Sequence, residues 1–457
     1  MTVSRAVHAV ACALPFLLGL GAVGLHASLG RPIWIDEFTH FAYAAEPTTR
    51  EAWSLFLATA DNIQHGQTGI YIILNYWTLN YLGLDATLLR LPSILSGVFL
   101  FSSAIMLFRV LGFSVLWQIV VVAALTGQHL LMYLLGEARP YAPIPAASAG
   151  LLLYYVARPQ HPESWGMLLF GIFTAVFGTT MHVYFAVYWP VVCLVAYVHH
   201  RAVTHEAFSL RSLIRFANPG LVALGAGLYL LLGALTWLRG QPNLGLDPFE
   251  WLRQQGPLAN FTNYSHTQFL DGSYAIAAIF TAAAMGALLL PAGLRGSAAR
   301  LQAPALLVLL SLLLSVLIGW ISYMADYWIL PRQWVGSIAL VAIGVVWFWA
   351  EAARLWARLT PLLGWALCGI AALIVSSQAL NIIGVRLAEL RTRLAEAPAV
   401  PPPEACEPPG ALDLANMSNE DRNAVMVDLA NRNIACGGPI WVVFRGYYTS
   451  QLAYWAR

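Results

Sequence analysis

Apolar residues in this chain come in long unbroken runs, with polar residues confined to short clusters between them. The runs are too long, and alternate too little, for the strands of an outer-membrane barrel. Apolar runs of about twenty residues predict membrane-crossing helices, because in lipid the backbone must satisfy its own hydrogen bonds. The first extends from residue 6 to about 29, behind Arg5. It exceeds the roughly 7–15-residue core of a cleaved signal and reads as a retained span. Further spans are expected at about 89–108, 115–135, 140–157, 165–181, 183–199, 218–238, 274–294, 303–323, 333–350 and 362–384. One stretch stands apart. Residues 69–84, GIYIILNYWTLNYLGL, are apolar but short, aromatic and interrupted by Asn75, Thr78 and Asn80.

Whether 69–84 crosses decides the orientation of everything after it. If it lies in the interface, then Arg5, Arg109, Arg158, Arg201, Arg211, Arg215, Arg295, Arg300, Arg354 and Arg358 share one side, joined only by Glu163, Glu206 and Glu351. If it crosses, all of these except Arg5 move outside, against the positive-inside bias. The interfacial reading gives about eleven spans, a cytoplasmic amino terminus and an external carboxyl tail.

Composition agrees with a multi-pass membrane protein. Of 457 residues, 59% are hydrophobic and 10% charged, and 17 are Trp. Every basic residue is Arg, which excludes lysine chemistry. A net charge of +2 with no basic tract gives no sign of a nucleic-acid partner.

Against so few charges, the stretch Trp34-Ile35-Asp36-Glu37-Phe38-Thr39-His40-Phe41 is unusual. Two adjacent acids follow the first span, with His40 one helical turn beyond. The topology brings other polar residues to the same outer side: His65, Glu137-Ala138-Arg139-Pro140-Tyr141, His182 and Tyr184, the 239–273 loop, Asp326-Tyr327-Trp328 and Arg332. Each alone has an ordinary reading. Arg139 can anchor a helix in the interface, His182 can be a hydrogen-bonded packing residue, and Arg332 can cap a loop. Together they suggest a cleft with acids on one wall and arginines on another, suited to an anionic lipid headgroup and a hydroxyl acceptor.

The ordered series Asp36-Glu37, then Leu89-Arg90-Leu91-Pro92-Ser93-Ile94-Leu95-Ser96-Gly97, Gly136-Glu137-Ala138-Arg139-Pro140-Tyr141-Ala142 and Met181-His182-Val183-Tyr184-Phe185 resembles the GT-C superfamily. These are glycosyltransferases that use polyprenyl-phosphate sugars. The resemblance points to bacterial relatives of the protein O-mannosyltransferases and of the lipid A aminoarabinose transferases. It covers residues 6–200, and 320–350 more loosely. Many relatives carry His-Pro-Pro-Leu where this chain reads His65-Gly66-Gln67-Thr68, so the prolines are missing here.

The resemblance implies an all-α polytopic membrane protein with periplasmic juxtamembrane helices, acting at the outer face of a bacterial plasma membrane. It implies a polyprenyl-phosphate sugar donor, a glycan, lipid or protein acceptor, and inversion at the anomeric carbon. Asp36 matches the family's base, with Glu37 orienting the acceptor or Asp36, or helping hold a cation. Arg139 and Arg332 suit the phosphate, with His182 and Tyr141 as further hydrogen-bonding groups. His40, His65 and Glu137 are secondary candidates. No particular cofactor is implied, and a divalent metal stays open, since Glu37, His40 and His65 are chemically able to hold one. Ionisable groups at helix ends rather than at the midplane favour a transferase over a transporter or flippase of lipid-linked glycans, or a non-catalytic partner in glycan assembly.

The chain divides into a transmembrane domain, 1–384, and a small extracytoplasmic α+β tail, 385–457. Residues 385–397 look helical, a proline-rich linker follows, a helix is expected to begin at Ser418, and 439–448 reads as a strand. Cys406 and Cys436 are the tail's two cysteines, and the external side would allow them to form a disulfide.

Overall fold

The computed structural model describes residues 3–27, 37, 40, 43–44, 46–58, 68–83, 86–236, 299–324 and 335–395. The expected span at 274–294, the residues around Asp326 and Arg332, and the linker, helix, strand and cysteines of the tail lie outside the described residues.

The first helices are α1 (Val3–Ala27), α2 (Thr49–Ala58), α3 (Ile70–Leu82), α4 (Ala86–Leu89) and α5 (Leu91–Val110). Next come α6 (Val115–Thr126), α7 (His129–Leu135), α8 (Pro143–Ala157), α9 (Trp165–Met181) and α10 (Phe185–Thr204). The last are α11 (Leu210–Phe216), α12 (Pro219–Thr236), α13 (Gln302–Met324), α14 (Val335–Trp356) and α15 (Pro361–Ala395). The described residues are all-α, and the protein is a polytopic membrane protein. Among the described residues, four helices are long and apolar enough to cross a bilayer, or up to six if each of two bent pairs is one span.

The bends refine the expected segments. The run at 115–135 is two helices, α6 and α7, meeting at 81°. The break falls at Gly127-Gln128, and side-chain amides take the carbonyls it releases. Gln128 donates to the Ala124 carbonyl at 3.1 Å, and Gln378 of α15 donates to that of Gly127 at 2.9 Å. Likewise α11 and α12 meet at 66°. The segment expected from 140 becomes helical only at Pro143, with Pro143 and Pro145 in a first turn that needs no N–H donors. The helical stretch foreseen after 385 is the continuous end of α15, which runs for 35 residues.

Helix α8 is the centre of the bundle. All of its residues are buried, and it packs on α5, α9, α10 and α14. Its small residues permit this close approach, since a Cβ at Gly150 would press into Phe99 of α5 and Thr174 of α9. Helix α14 is buried almost throughout and ties α8 to α6, α13 and α15. The outer surface carries exposed Leu17, Phe173, Leu230 and Leu373, as lipid-facing helices require.

Helix α3 has 13 residues, about 20 Å of rise, against a hydrocarbon core of about 30 Å. It packs on α2 and α4. Gly69 opens it at φ 85°, where any side chain would overlap Trp53 and Phe56 of α2. Asn80 and Tyr76 of α3 donate to the carbonyls of Ala44 and Pro47 at 2.8 and 3.2 Å, so this short helix holds the first loop in place.

Candidate active site

Four connections meet at one end of the bundle: after α1, before α5, between α7 and α8, and between α9 and α10. Glu37 is their junction. The Arg90 fork donates to it twice, Nε to Oε1 at 2.7 Å and Nη2 to Oε2 at 2.6 Å. The Ala138 N–H donates to the same Oε1 at 2.7 Å. Both side chains are buried, at 0% exposure for Glu37 and 4% for Arg90. Burial works against the Arg90 charge, but the bonds and charge of Glu37 and the charge of nearby Glu137 outweigh it and hold its pKa above the usual value. Removing one partner of such a pair costs roughly 3–5 kcal/mol, because the other charge is left buried without compensation.

The turn that supplies Ala138 also supplies Glu137 and Arg139, both buried. The Arg139 guanidinium lies 5.5 Å from the centre of the Tyr141 ring. Tyr141 stands 5.4 Å from the His182 ring, which stands 4.8 Å from that of Tyr184. His182 sits in extended backbone where α9 ends, and its Nδ1 accepts from the Tyr184 N–H at 3.2 Å. Neighbouring carbonyls are also taken: Thr68 donates to that of Thr180, and Tyr229 of α12 donates to that of Val183 at 3.0 Å. Arg139, Tyr141 and His182 thus form one wall.

Below this wall, α3 and α5 form a polar layer. The Tyr71 hydroxyl is 2.6 Å from Ser93 Oγ, and Ser93 donates to the Arg139 carbonyl at 3.1 Å. His40 Nδ1 lies 3.1 Å from the Asn75 side-chain oxygen, and the His40 ring meets Tyr71 edge-on at 5.5 Å. Asn75 donates to the Leu89 carbonyl. Tyr71 is held above its usual pKa, first by burial and then by the Glu37 charge, with the Ser93 bond and the Arg139 charge opposing.

The structure therefore gathers Glu37, Glu137, Arg139, Tyr141 and His182 at one end and places His40 beneath them. Asp36, His65 and Arg332 lie outside the described residues. The metal set expected from Glu37, His40 and His65 takes a different form in its two described members. Both Glu37 oxygens accept from Arg90, and His40 bonds Asn75. Among the described residues no group of three or more His, Cys, Asp or Glu is placed to hold a metal.

Arg90, Ser93 and Tyr71 received no role from the sequence. One signal was present: Arg90 heads a span at the end where arginines are scarce, against the bias that orients the rest.

No protein-family model and no curated protein matches the chain. Its fold is similar to the crystal structure of ArnT from Cupriavidus metallidurans bound to undecaprenyl phosphate, with a TM-score of 0.55 at 13% identity, over 98% of this chain and 88% of that one. The apo state of that protein is similar at the same TM-score and identity, over 99% and 88%. Over nearly its whole length, the chain has a fold like that of ArnT.

Proposed function

We propose that the protein is an integral membrane glycosyltransferase. It moves a hexosyl or pentosyl group from a polyprenyl-phosphate donor to a hydroxyl of a glycan, lipid or protein acceptor at the outer face of a bacterial plasma membrane. The observation that carries this reading is the buried Arg139, lying over Tyr141 and joined through Ala138 and Glu37 to the acidic first loop, in a chain folded like ArnT. A guanidinium in that setting suits a phosphate monoester, since it offers a planar fork of donors in a site with little water.

In the proposed reaction the acceptor hydroxyl attacks the anomeric carbon as the bond from that carbon to the phosphate oxygen breaks. The hydroxyl proton passes to the Asp36 carboxylate, and the lipid phosphate leaves with the bonding electrons. Arg139, with Arg332, neutralises the charge that grows on the phosphate. His182 and Tyr141 hold Arg139 and the donor in place. A single displacement inverts the anomeric centre. The described charges at this site, Glu37, Arg90, Glu137 and Arg139, belong to helix ends rather than mid-span positions, which favours transfer over transport of a lipid-linked glycan.

The test uses protein in detergent, with undecaprenyl-phosphate mannose, galactose and aminoarabinose assayed in turn as donors. Asp36→Asn keeps the side chain's shape and removes the proton acceptor. It is expected to lower transfer by about 10²–10⁴-fold while undecaprenyl phosphate still binds. Full activity in Asp36→Asn overturns the assignment.

A further inference from the structure

We propose that the groove between α10 and α12 is a site for an anionic phospholipid, with one acyl chain in the groove and the phosphate against Arg211 and Arg215 of α11. The site is at the opposite end of the bundle from the candidate active site and takes no part in the transfer.

The groove has a volume of about 670 Å³. Pro190 and Leu194 of α10, Val222 and Ala226 of α12, and Leu213 and Ile214 of α11 line it. Val222 and Leu230 at its rim are 40% and 73% exposed, so it is open along the flank of the bundle. Two polar groups in its walls are turned to protein partners. Trp189 Nε1 donates to the Tyr155 hydroxyl at 2.9 Å, and the Tyr229 hydroxyl donates to the Val183 carbonyl at 3.0 Å. An apolar groove at this depth holds hydrocarbon chain, since the bilayer core has no water to fill it.

The foot of the groove is held rigidly. Helix α11 lies across the end of α12, at 66° to it. Arg158 donates to the Phe216 carbonyl at 3.2 Å, Tyr155 donates to that of Ala217 at 2.9 Å, and the Asn218 amide donates to the Tyr154 hydroxyl at 3.1 Å. Asn218 turns the corner at φ 57°, a region its short polar side chain tolerates better than most. Phe216 stacks on Tyr155 at 5.8 Å, which sets the rotation of α11 about its own axis.

With that rotation set, Leu210 and Ile214 are 66% and 54% exposed, and Arg211 and Arg215 are exposed about 100° further round. The two arginines are one turn apart on one face. Among the described residues neither is joined to a carboxylate. Exposed Leu and Ile beside two unneutralised arginines, beneath an apolar groove between helices, have the chemistry of an anionic headgroup site. The polyprenyl chain of a sugar donor is the other hydrocarbon to consider. Its phosphate would belong at the junction before the first residue of α10, whereas the arginines follow the last. The twenty residues of α10 separate those ends by about 30 Å. The positive charge therefore stands at the wrong end of the groove for that lipid, and at the right end for a phospholipid of the opposite leaflet.

Native mass spectrometry of the full chain in detergent tests the site, with dioleoyl phosphatidylglycerol, dioleoyl phosphatidylcholine and undecaprenyl phosphate titrated in turn. Wild type is compared with the double variant Arg211→Gln/Arg215→Gln and with Ala226→Trp, which fills the groove from its exposed side. Wild type is expected to bind one phosphatidylglycerol about tenfold or more tightly than phosphatidylcholine. The double variant should lose that preference, and Ala226→Trp should weaken phosphatidylglycerol by about tenfold. Equal affinity for the two phospholipids in wild type, or unchanged phosphatidylglycerol binding in the double variant, overturns the proposal. A loss in the double variant with none in Ala226→Trp reduces the site to general attraction by surface charge and overturns it too. An Ala226→Trp protein that releases undecaprenyl phosphate but keeps phosphatidylglycerol gives the groove to the polyprenyl chain instead. If Ala226→Trp lowers the melting temperature, Val222→Phe takes its place one turn away, with the same outcomes.

Discussion

The two ends of the bundle use arginine in different ways. At the arginine-rich end, guanidinium groups satisfy backbone carbonyls. Arg354 donates to those of Leu111 and Gly112, each at 3.1 Å, Arg158 to that of Phe216 at 3.2 Å, and Arg109 to that of Cys12 at 3.1 Å. Carboxylate partners at this end, Glu351 and Glu206, lie within a few residues of their arginines in the chain. At the other end, Arg90 reaches a carboxylate 53 residues away, and both side chains are buried. The first arrangement costs little and caps helices that end near water. The second pays a desolvation penalty to lock distant segments together, which is what a reaction centre needs and a helix end does not.

If the ends differ in this way, they should face different compartments, and this is the largest effect expected. A reporter fused after Arg211 should read cytoplasmic and one at the carboxyl terminus external; the same reading from both would erase the distinction. Next in size is Arg139→Ala. Loss of a buried, charge-assisted contact to phosphate should weaken undecaprenyl phosphate binding by about 10–100-fold, corresponding to roughly 1.5–3 kcal/mol. Unchanged affinity in titrations with undecaprenyl phosphate would move the phosphate site elsewhere, with Arg332 next to test. Smallest is a paired stability measurement. Arg90→Ala should cost about 3–5 kcal/mol. Arg201→Ala, which breaks a pair whose Glu206 side chain is 56% exposed, should cost under about 1 kcal/mol. Equal losses in detergent unfolding would show that burial does not separate the two ends.

Hydropathy alone located most of the frame, because spanning helices answer to a solvent that leaves little choice. The short α3 was legible as a helix for the same reason, and at thirteen residues its rise falls short of a hydrocarbon core. The break in α6–α7 was not legible. Apolar character runs straight through Gly127, and the bend depends on Gln378, which is 251 residues away. The junction divides similarly. Arg139, Tyr141 and His182 stood out as polar groups at helix ends, and the structure brings them into one row. Glu37 was visible as an acid, but its partners were not, because nothing in chain order links residue 37 to 90 and 138. Ser93 and Tyr71 gave no signal either, being ordinary residues in apolar stretches whose roles exist only across helices.

The last helix has one more consequence. At 35 residues α15 rises about 52 Å, some 20 Å more than a hydrocarbon core of about 30 Å. Near its far end, Arg386 bonds Glu389 of the same helix and lies 3.0 Å from His129 Nε2, at the head of α7. The helix therefore stands as a mast stayed against the bundle, on the side where the charged junction lies. A helix longer than the core it crosses must tilt or protrude, and the contact between Arg386 and His129 ties that surplus length to the bundle.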